Sequence, residues 1–167
     1  MKRIILLLII ACLVMSCGAY KHVEQAAPSN GFTNEQLKEL LAKALVDMKE
    51  KAEETGIQGV AAVAILNRGE EIDWLGDMQV VGTPYNLKGG LNLVAIAWSK
   101  CGEVIATRAD SGNRDREKNI GELGYVGGAY EEFEGYAMAF AFSGGTSRQD
   151  LVVAKYGIEK MKSYLSE

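Results

Sequence analysis

Residues 135–150, Gly-Tyr-Ala-Met-Ala-Phe-Ala-Phe-Ser-Gly-Gly-Thr-Ser-Arg-Gln-Asp, constrain the fold more than any other part of the chain. Tyr136, Met138, Phe140 and Phe142 alternate with Ala137, Ala139 and Ala141, the two-residue period of a β-strand. The large side chains fill one face, and the alanines on the other leave room for a helix or a second subunit. Gly144 and Gly145 supply permissive backbone for a turn. Thr146 and Gln149 then stand at capping-box spacing, so a helix begins there, with Leu151, Ala154, Ile158, Met161 and Leu165 along one stripe.

Upstream, the spacing predicts a helix over 33–55. Thr33 and Gln36 form a second capping box, Phe32 and Leu37 a hydrophobic staple, and Leu37, Leu40, Leu41, Ala44, Leu45, Met48 and Ala52 an apolar stripe at helical spacing. Ile57 to Leu66 is almost continuously apolar and predicts a strand covered on both faces. A hairpin turn at 67–70 returns it through a strand over 71–78 that carries Ile72 and Trp74. Residues 82–90 read as a loop. A helix over 91–108 follows, with Val94, Ala97, Trp98, Cys101, Val104 and Ile105 on one face and Gly102 inside it, where close packing would account for a glycine. Residues 109–119 read as a mobile polar excursion, 122–126 as a strand, and Gly127-Gly128 with the acidic residues after it as a turn. Strands joined by short turns predict an α+β fold: an antiparallel sheet of about five strands with helices on both sides.

The amino terminus carries a different message. Lys2 and Arg3 precede an apolar run over 4–14, too short to cross a bilayer, which takes about 20 residues. The sequence Val14-Met15-Ser16-Cys17-Gly18 resembles the lipobox of bacterial lipoprotein signal peptides. The resemblance implies cleavage before Cys17, its lipidation, anchoring in a membrane, and an exported protein that is periplasmic or at the outer membrane. An ordinary secretory signal is the alternative. The expected organisation is a signal peptide over 1–16, a flexible tether over 17–31 and one domain over 32–167, a length that supports a single core.

Charge and motifs narrow the function. Without Lys2 and Arg3, the 18 basic residues become 16 against 22 acidic, a balance of −6 with no basic stripe, which argues against nucleic acid as a partner. The single histidine, His22, lies in the tether, so Ser-His-Asp and Cys-His catalysis lack a base inside the domain. HExxH, paired CxxC, P-loop and dinucleotide fingerprints are missing from the sequence, and Glu131, Glu132 and Glu134 read as a solvated turn. Cys101 in an apolar helix reads as a small buried hydrophobe.

Gly127-Gly128, Gly135, the alternating strand, Ser143-Gly144-Gly145-Thr146 and Gln149-Asp150 are similar to the family of HbpS-type haem-binding proteins, GlcG proteins and the carboxy-terminal domain of PduO. Asn67-Arg68-Gly69 and Lys100 also fall where that family has a turn and a helical lysine. The resemblance spans about 32–165. It implies a profilin-like fold, homo-oligomers and, in some members, a tetrapyrrole, either haem or a cobalamin. A non-catalytic binding or sensing module is the function expected, and an oligomeric structural lipoprotein with no small ligand is the alternative. Candidate ligand-binding residues are Tyr85, Lys88, Lys100, Arg108 and Tyr130, with Met78, Tyr125 and Cys101 as further conceivable axial ligands of a haem. The sequence identifies no metal site.

Overall fold

The computed structural model describes residues 31–67 and 73–167. The signal peptide, Cys17, His22, nearly all of the tether, the rest of the turn after Asn67, and Ile72 lie outside the described residues.

Helix α1 (Asn34–Glu54) opens the domain, and its capping box is formed: Thr33 Oγ1 accepts from Gln36 N at 3.2 Å, and Gln36 Oε1 accepts from Thr33 N at 2.8 Å. Strand β1 (Gly59–Asn67) is buried along its whole length. It pairs antiparallel with β2 (Leu75–Val81) on one side and with β6 (Tyr136–Ser143) on the other. Strand β5 (Gly128–Phe133) adds to the far side of β6, giving the order β2-β1-β6-β5. Between β2 and helix α2 (Leu93–Thr107), a separate two-stranded hairpin pairs β3 (Tyr85–Asn86) with β4 (Leu91–Asn92). Helix α3 (Ser147–Leu165) closes the chain.

The alternation in β6 determines the layering. Met138, Phe140 and Phe142, with Ala61, Val63 and Ile65 of β1, pack beneath α1 and α3. Ala139 and Ala141, with Val60, Ala62 and Ala64, pack beneath Leu93, Ala97, Cys101 and Val104 of α2. The architecture is therefore α+β, with an antiparallel sheet and helices on both sides, consistent with a profilin-like fold. The main sheet has four strands where about five are expected. The alanine face is covered by α2 within the same chain, so it is not a surface for a second subunit.

Several sequence expectations are corrected. Residues 122–126 form no strand. Gly121 and Gly124 both take positive φ, and Glu122 turns back to accept from Asn119 N at 2.8 Å. The strand lies instead at β5, where Gly128, Glu131 and Glu132, read from the sequence as turn residues, are extended. The second strand starts later and runs further than 71–78. Helix α2 begins at Leu93, because Leu91-Asn92 pairs with β3 and the Asn92 side chain caps Ala95 N at 3.0 Å. Gly102 has open space where a Cβ would lie, so close packing does not explain it. Trp98 is partly exposed and donates its indole N–H to Met78 Sδ at 3.3 Å. The polar segment after α2 is held by many bonds: Tyr130 N donates to Asp110, Gly128 N to Ser111 Oγ and Gly112 N to buried Glu103, while Arg116 bridges Glu103 and Glu122.

Candidate functional site

The two glycines after β6 set the site. A Cβ on Gly144 would fall onto the carbonyl of Gln58, and one on Gly59 onto the carbonyl of Ser143, so the chains cross here closer than any side chain permits. The crossing delivers the α3 amino terminus to the α2 face of the sheet. Thr146 caps it: Thr146 Oγ1 accepts from Gln149 N at 3.4 Å, and Gln149 Oε1 from Thr146 N at 3.0 Å.

Against this crossing sits a buried ion pair. Lys100 Nζ lies 2.7 Å from Asp150 Oδ2 and donates to the Phe142 carbonyl at 2.8 Å, while Asp150 Oδ1 accepts from Gly145 N at 2.8 Å. Burial lowers the Lys100 pKa, opposed by the charge and hydrogen bond of Asp150. Gly127 is required beside the pair, because a Cβ there would stand 2.7 Å from both Lys100 Nζ and Asp150 Cβ.

The pair walls a cleft of about 220 Å³. Leu91, Leu93, Ile96 and Val126 form its apolar side, and Ser143, Gly144, Gly145 and Ser147 its polar side. Around the hairpin lie two wider depressions. One, of about 530 Å³, is lined by Ile57, Gln58, Tyr85, Leu87 and Lys88; the other, of about 560 Å³, by Pro84, Tyr85, Leu87, Leu91 and Val94. Leu87 is 85% exposed at the hairpin tip, and Tyr85 is half-exposed. Thr83 Oγ1 donates to the Tyr85 carbonyl at 2.9 Å, and Asn86 Oδ1 accepts from Gly89 N at 3.1 Å, bonds that brace the hairpin.

The structure thus brings Tyr85, Lys88 and Lys100 to one region, although Lys100 is already paired. Arg108 and Tyr130 stand apart, past the far end of α2, about 20 Å along the helix from Leu93. Arg108 caps α2 in the left-handed conformation and donates to Tyr130 Oη at 3.2 Å, and Tyr130 Oη also bonds Glu132. Burial and then the Glu132 bond raise the Tyr130 pKa, against the effect of Arg108. Cys101 faces the alanine side of the sheet, its Sγ 3.3 Å from the Ala139 carbonyl, and burial pushes its thiol up to about 12. Such a thiol is not poised as a ligand or nucleophile. Met78 is occupied by the Trp98 indole, and Tyr125 borders the cleft. Among the described residues, no group of three or more His, Cys, Asp or Glu could hold a metal ion.

Sequence reasoning passed over Ser143 and Asp150 as site residues. A signal for the pair was present: Asp150 shares the buried stripe of α3 with Val153, Ala154 and Gly157, and Lys100 that of α2 with Ile96, Ala97 and Val104. One acid and one base on facing apolar stripes satisfy each other.

No protein-family model and no curated protein matches the chain by sequence. Its fold is that of several solved structures. Klebsiella pneumoniae protein ORFY, described as DUF336, superposes with a TM-score of 0.53 at 16% identity, covering 75% of this chain and 88% of that one. A double mutant of Streptomyces reticuli HbpS superposes with a TM-score of 0.53 at 18% identity, covering 72% and 83%. A PduOC–haem complex overlaps with a TM-score of 0.46 at 17% identity, covering 77% and 94%. The resemblance read from the sequence is thus borne out in the fold.

Proposed function

We propose that the protein is an exported binding module, tethered to a membrane by lipid on Cys17, that takes haem or a related tetrapyrrole against the β3–β4 hairpin without transforming it. The observation carrying this reading is the pair of open depressions that share Tyr85 and Leu87. They offer apolar surface to a flat ring, a phenol to iron and, at the rim of one, the Lys88 cation to a carboxylate. No histidine lies among the described residues, so an axial ligand from the domain would be the Tyr85 phenolate.

The test is an absorbance titration of the full chain with haemin, beside His22→Ala and Tyr85→Phe variants. The expected result is a Soret band that shifts and saturates at micromolar haemin, unchanged in His22→Ala and altered in Tyr85→Phe. No spectral change with haemin and no cobalamin binding would overturn the ligand. Mass spectrometry of the mature protein tests the anchor. An acylated amino terminus at Cys17 is expected, and an unmodified chain starting elsewhere would refute it.

Homo-oligomer formation is the second part of the proposal. It is favoured by β2, an edge strand with Met78 and Val80 each 38% exposed. Light scattering of wild type and Val80→Lys checks it, with loss of the assembly expected in the variant.

A further inference from the structure

We infer that the cleft between the Lys100–Asp150 pair and the amino terminus of α3 is a carboxylate-binding subsite, built to hold the acid group of a small, partly apolar molecule. This site adjoins the proposed tetrapyrrole groove, sharing Asn86, Leu93 and Gly144 with one of its depressions, but it rests on donors of its own. Ser143 is 97% buried by its 3% exposure and lines the cleft, yet its hydroxyl finds no hydrogen-bond partner among the described residues. The hydroxyl opens onto the cleft, where it can donate to a ligand acceptor. Lys100 has three N–H donors and uses two, on Asp150 and on the Phe142 carbonyl, while its side chain also borders the cleft.

The backbone supplies the rest. Gly145 N is spent on Asp150, and Thr146 N on its capping partner, but the Ser147 and Arg148 amides open the helix with no intrahelical acceptor. Donors from Ser143, Ser147 and Lys100 therefore border the same cleft at the positive end of a helix dipole.

The ligand class follows from charge and size. Asp150 already balances the cation of Lys100, so a dianionic phosphate would lack compensation, whereas a single carboxylate is matched by neutral donors and the helix end. Leu91, Leu93, Ile96 and Val126 demand an apolar body. A volume of about 220 Å³ corresponds to roughly seven waters at about 30 Å³ each, enough for a short-chain acid or for one acid side arm of a larger ligand.

The experiment is a two-dimensional amide NMR titration of the full chain with propionate, propionamide and inorganic phosphate. Propionate should move the Gly144, Gly145, Ser147 and Arg148 amides saturably, and the other two should not. Ser147→Pro removes an amide and a hydroxyl at the first helical position, where proline fits, after a Thr146 already extended at ψ 158. It should weaken propionate about tenfold, and Ser143→Ala should weaken it several-fold. Haemin and its dimethyl ester separate the two sources of the acid. Displacement of propionate by haemin alone assigns the subsite to a tetrapyrrole side arm, and displacement by neither assigns it to a free acid. Equal shifts from propionate and propionamide, preference for phosphate, or a folded Ser147→Pro chain that binds propionate like wild type would overturn the proposal.

Discussion

Lys100 and Asp150, fifty residues apart, meet at 2.7 Å with side chains 3% and 5% exposed, and so lock α2 to the first turn of α3 across the end of β6. The pair spans the two helices that the sheet keeps on opposite faces. Removing one partner leaves the other charged and buried, which costs about 3–5 kcal/mol, whereas removing both in favour of apolar groups is often neutral. Asp150→Ala is therefore expected to lower unfolding stability by about 3–5 kcal/mol, and Lys100→Met with Asp150→Leu to recover most of it. Urea denaturation of the wild type, Asp150→Ala and the double variant measures this. A single variant within about 1 kcal/mol of wild type would show that water already reaches the pair.

Two helical glycines should respond to alanine with opposite signs. Gly157 in α3 faces Met48, whose Cγ and Sδ would lie 2.6 Å from a new Cβ. Gly102 in α2 faces open space. Alanine is favoured in a helix by about 1 kcal/mol, so Gly102→Ala should stabilise by about that amount. Gly157→Ala should instead destabilise by about 1–3 kcal/mol through overpacking. Thermal or urea unfolding of both variants decides the signs.

That contrast also shows what was legible in the sequence. The large-and-small alternation of β6, the two capping boxes and the apolar stripes are local patterns, and each formed its element. The α+β layering followed from them. Gly102 and Gly157 look alike along the chain, because what stands opposite a glycine is a tertiary fact. The strand at β5 was hidden because Gly128 and Ala129 have poor strand propensity. Gly128 lies there because only a glycine fits beneath α2, where a Cβ would meet Val104 at 2.8 Å, while Ala129 packs on the opposite face with Phe140. The cleft was invisible for a related reason. Its donors come from β6, α2 and the start of α3, and only the Gly59–Gly144 crossing brings them together.

The small face of β6 is filled by α2, which predicts how Ala139 tolerates a larger side chain. Ala139 is fully buried against the helix that carries Cys101. Ala139→Leu should cost about 1–3 kcal/mol in stability, with no change of assembly in the fraction that remains folded. Calorimetry with light scattering checks both. An unchanged melting temperature together with loss of an oligomer would place this face between subunits.

Cys101 should be nearly inert in the native protein. Burial holds its thiol at about 12, so little thiolate exists at neutral pH, and the Sγ is closed in by the alanine face. Peptide mapping after alkylation at pH 8 should find Cys101 unmodified in native protein and modified in 8 M urea. Rapid native labelling would mean that α2 lifts from the sheet without global unfolding.

The alkaline limb of stability should report a single tyrosine. Tyr164, near the end of α3, donates its hydroxyl to Asp47 of α1 and so ties the two helices on one face of the sheet. That bond, then burial and the Asp47 charge, pushes the Tyr164 pKa up to about 12 from an ordinary value near 10. A folded-state pKa above the unfolded one contributes stability that is complete below pH 10 and lost as pH rises towards 12. Lys100, lowered by burial, acts with the opposite sign, its penalty easing as pH climbs towards 10.5, but it is common to both chains compared and cancels. Tyr164→Phe should accordingly be less stable than wild type at pH 8, with the gap closing between pH 10 and 12. Urea midpoints of the two chains across pH 7 to 12 measure the gap. A constant difference over that range would mean that the hydroxyl does not rely on Asp47.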